Sequence, residues 1–118
     1  MKFESGELNI ICTDLEASLY FYKDILGFEF MEDDGGAVRL KNGDSFYLLL
    51  PFARSRQPAS PYCSLATLSF DLLIPDLGSA FEYLKQKQVN FETEWQEGKP
   101  SFVIKDPDGL FIEVIGKT

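Results

Sequence analysis

Asp14-Leu15 and Asp76-Leu77 stand 62 positions apart, and what surrounds the first pair returns around the second. Sliding the chain by that offset also lays Leu19 on Phe81, Phe21 on Tyr83 and Lys23 on Lys85. The identities are few, but the order of elements repeats with them. In each half an apolar run precedes the Asp-Leu pair and an amphipathic stretch follows it. Alternating runs divided by turn residues come next. A repeat of this length in a chain of 118 residues points to two copies of one small unit.

In the first copy Leu8–Cys12 is expected as a buried strand. Asp14 is placed to cap the helix that follows, and Thr13 with Glu16 fits a capping box. On a helical wheel Leu15, Ser18, Leu19, Phe21, Tyr22, Ile25 and Leu26 share one broad side, with Glu16, Lys23 and Asp24 opposite. That is the pattern of a helix laid on a sheet. Gly27 stands where a left-handed residue ends a helix. Phe28–Glu32 and Ala37–Lys41 then alternate, and Phe46–Leu50 ends at Pro51. The turns between them, Asp34-Gly35-Gly36 and Asn42-Gly43-Asp44, are hairpin signals of the kind a type I′ turn demands. This half reads βαβββ.

Residues 52–64 carry prolines, serines and Arg54 and Arg56 without periodicity, and read as a linker. Thr67–Ile74 is expected as a strand, followed by a helix from Pro75-Asp76-Leu77 to about Gln88. Phe91–Trp95, Phe102–Lys105 and Leu110–Ile115 complete the second copy, the last two joined by Asp106-Pro107-Asp108-Gly109. The fold class is α+β, with module 1 over 6–51, the linker, and module 2 over 65–117.

Nineteen acidic against eleven basic residues give a net charge of −8, which excludes nucleic acid and anionic membrane as partners. The excess favours a cationic ligand where the acids line a cavity, and otherwise forms a solvated surface. No apolar run nears the ~20 residues of a membrane span. Met1–Gly6 shows no signal-peptide core, and two cysteines make no disulfide framework, so a cytoplasmic protein is expected.

Asp14-Leu15-x-x-Ser18-x-x-Phe21-Tyr22-x-x-x-Leu26-Gly27-Phe28 and the closing Asp106-Pro107-Asp108-Gly109-Leu110-Phe111-Ile112-Glu113-Val114-Ile115 together resemble the glyoxalase, bleomycin-resistance and extradiol dioxygenase superfamily, the vicinal oxygen chelate proteins. The resemblance spans about Glu7 to Ile115. It implies paired βαβββ modules whose curved sheets enclose a cavity, commonly in a homodimer. In metal-dependent members the ligands come from the first and fourth strands of each module, usually His or Gln, Glu, His and Glu. Those positions fall here on Glu7, Leu48, Ser69 and Glu113, and the chain has no histidine. Leucine cannot coordinate and serine is a poor ligand. Glu7 and Glu113 could hold Mg²⁺ or Mn²⁺ with waters, but imidazole-bound iron or zinc is excluded.

Glu113 is either a cavity carboxylate or a surface partner of Lys or Arg. Phe46, Tyr47 and Trp95 are cavity aromatics by alternation, or core. Cys12 reads as a small core residue without a base to activate it, and Cys63 lies in the linker. The candidate ligand-binding set is therefore Glu7, Phe46, Leu48, Ser69, Trp95 and Glu113, with no assigned catalytic residue. Three functions follow: a cofactor-free binder of a small cationic or aromatic compound, a Mg²⁺- or Mn²⁺-assisted lyase, isomerase or transferase, and a ligandless subunit or regulator.

Overall fold

The computed structural model describes residues 1–117 and divides into two compact units, Met1–Arg56 and Gln57 onward. Each is a four-stranded sheet with one helical segment on one side. In the first, β1 (Leu8–Ile11), β2 (Glu29–Asp34), β3 (Ala37–Asn42) and β4 (Ser45–Leu50) take the order β1-β4-β3-β2. In the second, β5 (Phe70–Ile74), β6 (Asn90–Thr93), β7 (Ser101–Lys105) and β8 (Phe111–Gly116) repeat it as β5-β8-β7-β6. The first strand of each unit runs parallel to the last, and the remaining pairings are antiparallel. The duplicated βαβββ order read from the chain is the observed one.

The helices begin as their sequences require. Asp14 caps α1 (Leu15–Leu19), accepting from the Ala17 N–H at 3.2 Å, and Asp76 caps α2 (Leu77–Gln86), accepting from the Ser79 N–H at 3.1 Å. Their continuations differ from expectation in the first unit. After Leu19 the helix widens into a π-helical segment over Tyr20–Ile25, and the Leu26 N–H reaches the Phe21 carbonyl at 3.0 Å. The widening seats Phe21, Tyr22 and Ile25 together in the core, where Tyr22 meets the rings of Phe21 and Phe28. Ser18, on the same side, is fully buried, as the helical wheel implied. Gly27 closes the segment at φ 82°.

Turn chemistry is half as expected. The Gly35-Gly36 turn has positive φ at both residues, as type I′ requires, whereas the loop after Asn42 has it only at Gly43. In the second unit Asp106 is buried and its Oδ1 accepts from the Asp108 and Leu110 N–H groups, both at 2.9 Å, which fixes the loop between β7 and β8. The strand expected from Thr67 begins only at Phe70, and Leu65 and Leu68 are exposed. Residues 57–64, assigned to a linker, belong to the second unit.

The helix side of each sheet is the core: Ile10, Cys12, Val38, Leu40 and Leu49 in the first unit, Phe102, Ile104, Ile112 and Val114 with Phe81 and Leu84 of α2 in the second. The other face of each sheet carries the candidate residues apart from Trp95.

Two features of α2 have measurable consequences. It ends with the Val89 N–H on the Leu84 carbonyl and the Gln88 N–H on that of Lys85, and Gln88 takes the left-handed position at φ 60°. Glycine is preferred there, so Gln88→Gly should stabilise the protein by about 0.5–1 kcal/mol in urea denaturation. Asp76 also accepts from the Ser79 hydroxyl at 2.9 Å, and these bonds, the backbone one first, hold its carboxyl below the usual range. A depressed folded pKa stabilises above the unfolded value and loses that contribution as pH falls through the folded one. The gap in thermal midpoint between wild type and Asp76→Ala should therefore be constant above about pH 5 and close on acidification below about pH 4.

Candidate functional site

In the first unit the site forms where β1 begins beside β4. Leu8 stands opposite Tyr47 and Asn9 opposite Leu48, so alternation places Glu7, Asn9 and Ile11 with Phe46, Leu48 and Leu50 on the face away from the helix. Arg39, opposite Leu48 on β3, joins that face. Its Nε donates to Glu7 Oε1 at 2.7 Å and its Nη1 to Glu32. The hydrogen bond to Glu7, ahead of the charges of Glu7 and Glu32, raises the guanidinium pKa above its ordinary value.

Next to Glu7 lies a cavity of about 460 Å³, lined by residues 5–8 and 44–47. The charged residues in its wall are Glu7 and Asp44, and Phe46 is its ring, since Tyr47 turns its own ring to Phe28 at 4.8 Å between centres on the helix side. Phe46 is 39% exposed, with the Lys41 ammonium 5.9 Å from its ring centre. Tyr47 is buried, and burial raises its phenol pKa against the lowering bond from Ser45, keeping it neutral at neutral pH.

In the second unit Ser69 directly precedes β5, and Glu113 on β8 lies opposite Asp71 of β5 and Val103 of β7. Glu113 is half-buried, and its Oε2 accepts from the Ser101 hydroxyl at 2.8 Å. The Ser69 hydroxyl shares a hydrogen bond of 3.1 Å with that of Tyr62. Trp95 stands elsewhere. Its ring centre is 6.0 Å from that of Phe81, a β-carbon at Gly78 would stand 3.6 Å from its ring, and its indole N–H donates to the Lys99 carbonyl at 3.0 Å. This is the helix side of the sheet, while Ser69 and Glu113 are on the other. Of the expected set, the structure thus gathers Glu7, Phe46 and Leu48 in one unit and Ser69 and Glu113 in the other. Trp95 joins neither group.

Arg39, Asp44 and Tyr62 were not anticipated. Alternation in Ala37–Lys41 carried the signal for Arg39, two residues from each end. Tyr62 sits in the aperiodic stretch, which carried none.

A model of the Glyoxalase/Bleomycin resistance protein/Dioxygenase superfamily matches residues 5–114. The chain belongs to that superfamily. Solved structures of its fold agree. An integron cassette protein from the mobile metagenome of V. cholerae is 20% identical at TM-score 0.70, with 100% of this chain and 98% of that chain covered. The trypanothione-dependent glyoxalase I of Leishmania major is 20% identical at TM-score 0.75, covering 93% and 84%. The fosfomycin resistance protein FosX of Listeria monocytogenes is 15% identical at TM-score 0.75, covering 100% and 96%. No curated protein matches the chain by sequence. At these identities the structures share the fold alone.

The metal site that superfamily membership brings to mind does not fit the residues present. Leu48 has no donor atom, and Glu7 is engaged by Arg39. Ser69 bonds Tyr62 and Glu113 bonds Ser101. Among the described residues no group of three or more His, Cys, Asp or Glu is placed to hold an ion.

The Glu7–Arg39–Glu32 chain should act electrostatically. Arg39→Gln is expected to lower the thermal midpoint at low salt, with the deficit narrowing towards about 1 M NaCl, where screening acts within ~3 Å. A deficit independent of salt would show that the Arg39 stem contributes by packing instead.

Proposed function

We propose that the protein binds a small organic molecule, cationic or aromatic, against the open sheet faces, without a metal ion, and acts in the cytoplasm as a homodimer. The observation that carries this reading is the cavity of about 460 Å³ beside Glu7, the size of a small-molecule pocket. Its wall pairs a ring with carboxylates, and a carboxylate with an aromatic face is what an organic cation meets most favourably. The net charge of −8 adds a long-range field of the same sign. Leu48, Ile11 and Leu50 on the same face supply apolar surface for the body of such a ligand.

The test is a thermal midpoint measured with EDTA, with Mg²⁺, Mn²⁺, Ni²⁺ and Zn²⁺ in turn, and with a panel of organic cations carrying aromatic rings. A ligand at about a hundred times its dissociation constant stabilises the fold by about 2.7 kcal/mol, or several degrees in a domain of this size. The reading requires a shift from members of the organic panel and none from the ions. A shift with Mg²⁺ or Mn²⁺ that Glu113→Gln removes would replace it with metal-assisted chemistry.

A further inference from the structure

The duplication supplies an internal comparison for the cavity in the first unit. Leu8 stands opposite Tyr47 as Phe70 stands opposite Ile112. The residues lining the cavity, 5–8 and 44–47, therefore correspond to residues 67–70 and 109–112 in the second unit. Ser5 matches Thr67, Glu7 matches Ser69, Asp44 matches Gly109 and Phe46 matches Phe111. Even the lysine is repeated: Lys105 stands 5.8 Å from the ring centre of Phe111, as Lys41 does from that of Phe46.

In the second unit that place is filled by the chain itself. The Gln57 side-chain amide donates to Thr67 Oγ1 at 3.2 Å, its N–H donates to the Asp108 carbonyl at 3.3 Å, and its Cβ lies 3.9 Å from where a β-carbon at Gly109 would stand. Five residues on, Tyr62 puts its ring 5.1 Å from that of Phe111 and its hydroxyl on Ser69. The Tyr62 N–H donates to Glu92 at 2.6 Å, and Glu92 is 3.5 Å from Lys105. The effect on the shared ring is large. Phe111 is 5% exposed and Phe46 is 39% exposed.

We infer that the cavity of the first unit is a binding site for a protonated arylalkylamine, whose ring packs against Phe46 at a tilt, as Tyr62 packs against Phe111. This rests on reading the protein as a binder of small organic molecules, and it assigns that ligand's place and chemical class. The ring position follows from the repeat. The charge follows from what differs between the two copies: neutral Ser69 and Gly109 face the neutral Gln57 and Tyr62, whereas Glu7 and Asp44 present carboxylates. Arg39 donates one hydrogen bond to Glu7 Oε1 and leaves the carboxylate further lone pairs for an ammonium. Residues 57–62, by the same comparison, are the reason the second unit does not offer a second copy of the site.

The probe is tyramine, titrated into the ¹⁵N-labelled protein and followed by amide chemical shifts, with cyclohexylethylamine as the non-aromatic control. The expected result is one site per chain, with shifts centred on residues 5–8 and 44–47. Affinity should drop about fivefold in Phe46→Leu, which keeps apolar bulk but loses the ring contact, and about as much with the control amine. Tyr62→Ser should open the second copy to the neutral aromatic p-cresol, with shifts at residues 67–70 and 109–112, while tyramine, which meets no carboxylate at Ser69 or Gly109, should add none there. Shifts centred on other residues and unchanged by Phe46→Leu would overturn the assignment while leaving small-molecule binding intact. So would equal binding of the non-aromatic amine. Silence towards tyramine, with binding of other organic cations, would overturn the chemical class, and silence towards all of them would overturn both readings.

Discussion

In each unit the first strand lies beside the last, and parallel to it. Two parallel neighbours cannot be joined by a tight turn, so the chain has to leave the sheet, cross one face as a helix, and return through a meander. Everything else follows from that pairing. It buries the helix side with Ile10, Leu49 and Val38, or with Ile112, Ile104 and Phe102. It also brings the residue before the first strand next to the start of the fourth, which is why Glu7 meets Phe46 and Ser69 meets Phe111. Neither neighbourhood could be assembled by a purely antiparallel sheet with the same connections.

Much of this was written in the chain because the determinants are local. Asp14 and Asp76 announce their helices by capping them, and Gly27, Gly35 and Gly36 mark places that require positive φ. The resemblance picked out Glu7, Leu48, Ser69 and Glu113 and left the face of Glu113 open, and the registers put Glu7 with Leu48, and Ser69 with Glu113, on the side of the sheet away from the helix. What escaped depends on contacts between distant residues. The π-helical widening after Leu19 satisfies core packing of Phe21, Tyr22 and Ile25, which helical periodicity alone does not ask for. Trp95 alternates correctly for a strand, but β6 ends at Thr93, and the indole turns to Phe81. Residues 57–64 looked like a linker because they form no regular element, yet their backbone and side chains find partners on Asp108, Thr67, Glu92 and Ser69.

The positions that the resemblance marks out for ligands hold Glu7, Leu48, Ser69 and Glu113. Two retain carboxylates, and each is answered from within its own unit, Glu7 by Arg39 and Glu113 by Ser101. Arg39 matters most in this respect. It sits between Glu7 and Glu32, so the open face of the first unit holds two carboxylates about one guanidinium beside apolar Leu48.

The segment leading into the second unit also bears on how duplicated genes diverge. Two copies of a module begin with identical recesses, and the simplest way to lose one is to replace its walls. Here Phe111 and its lysine persist, and the recess is closed from outside by the connecting stretch, with the left-handed Cys63 turning the chain just past Tyr62. Residues 57–62 thus make the two modules asymmetric. Selection could then alter one half of the protein without disturbing the packing of the other.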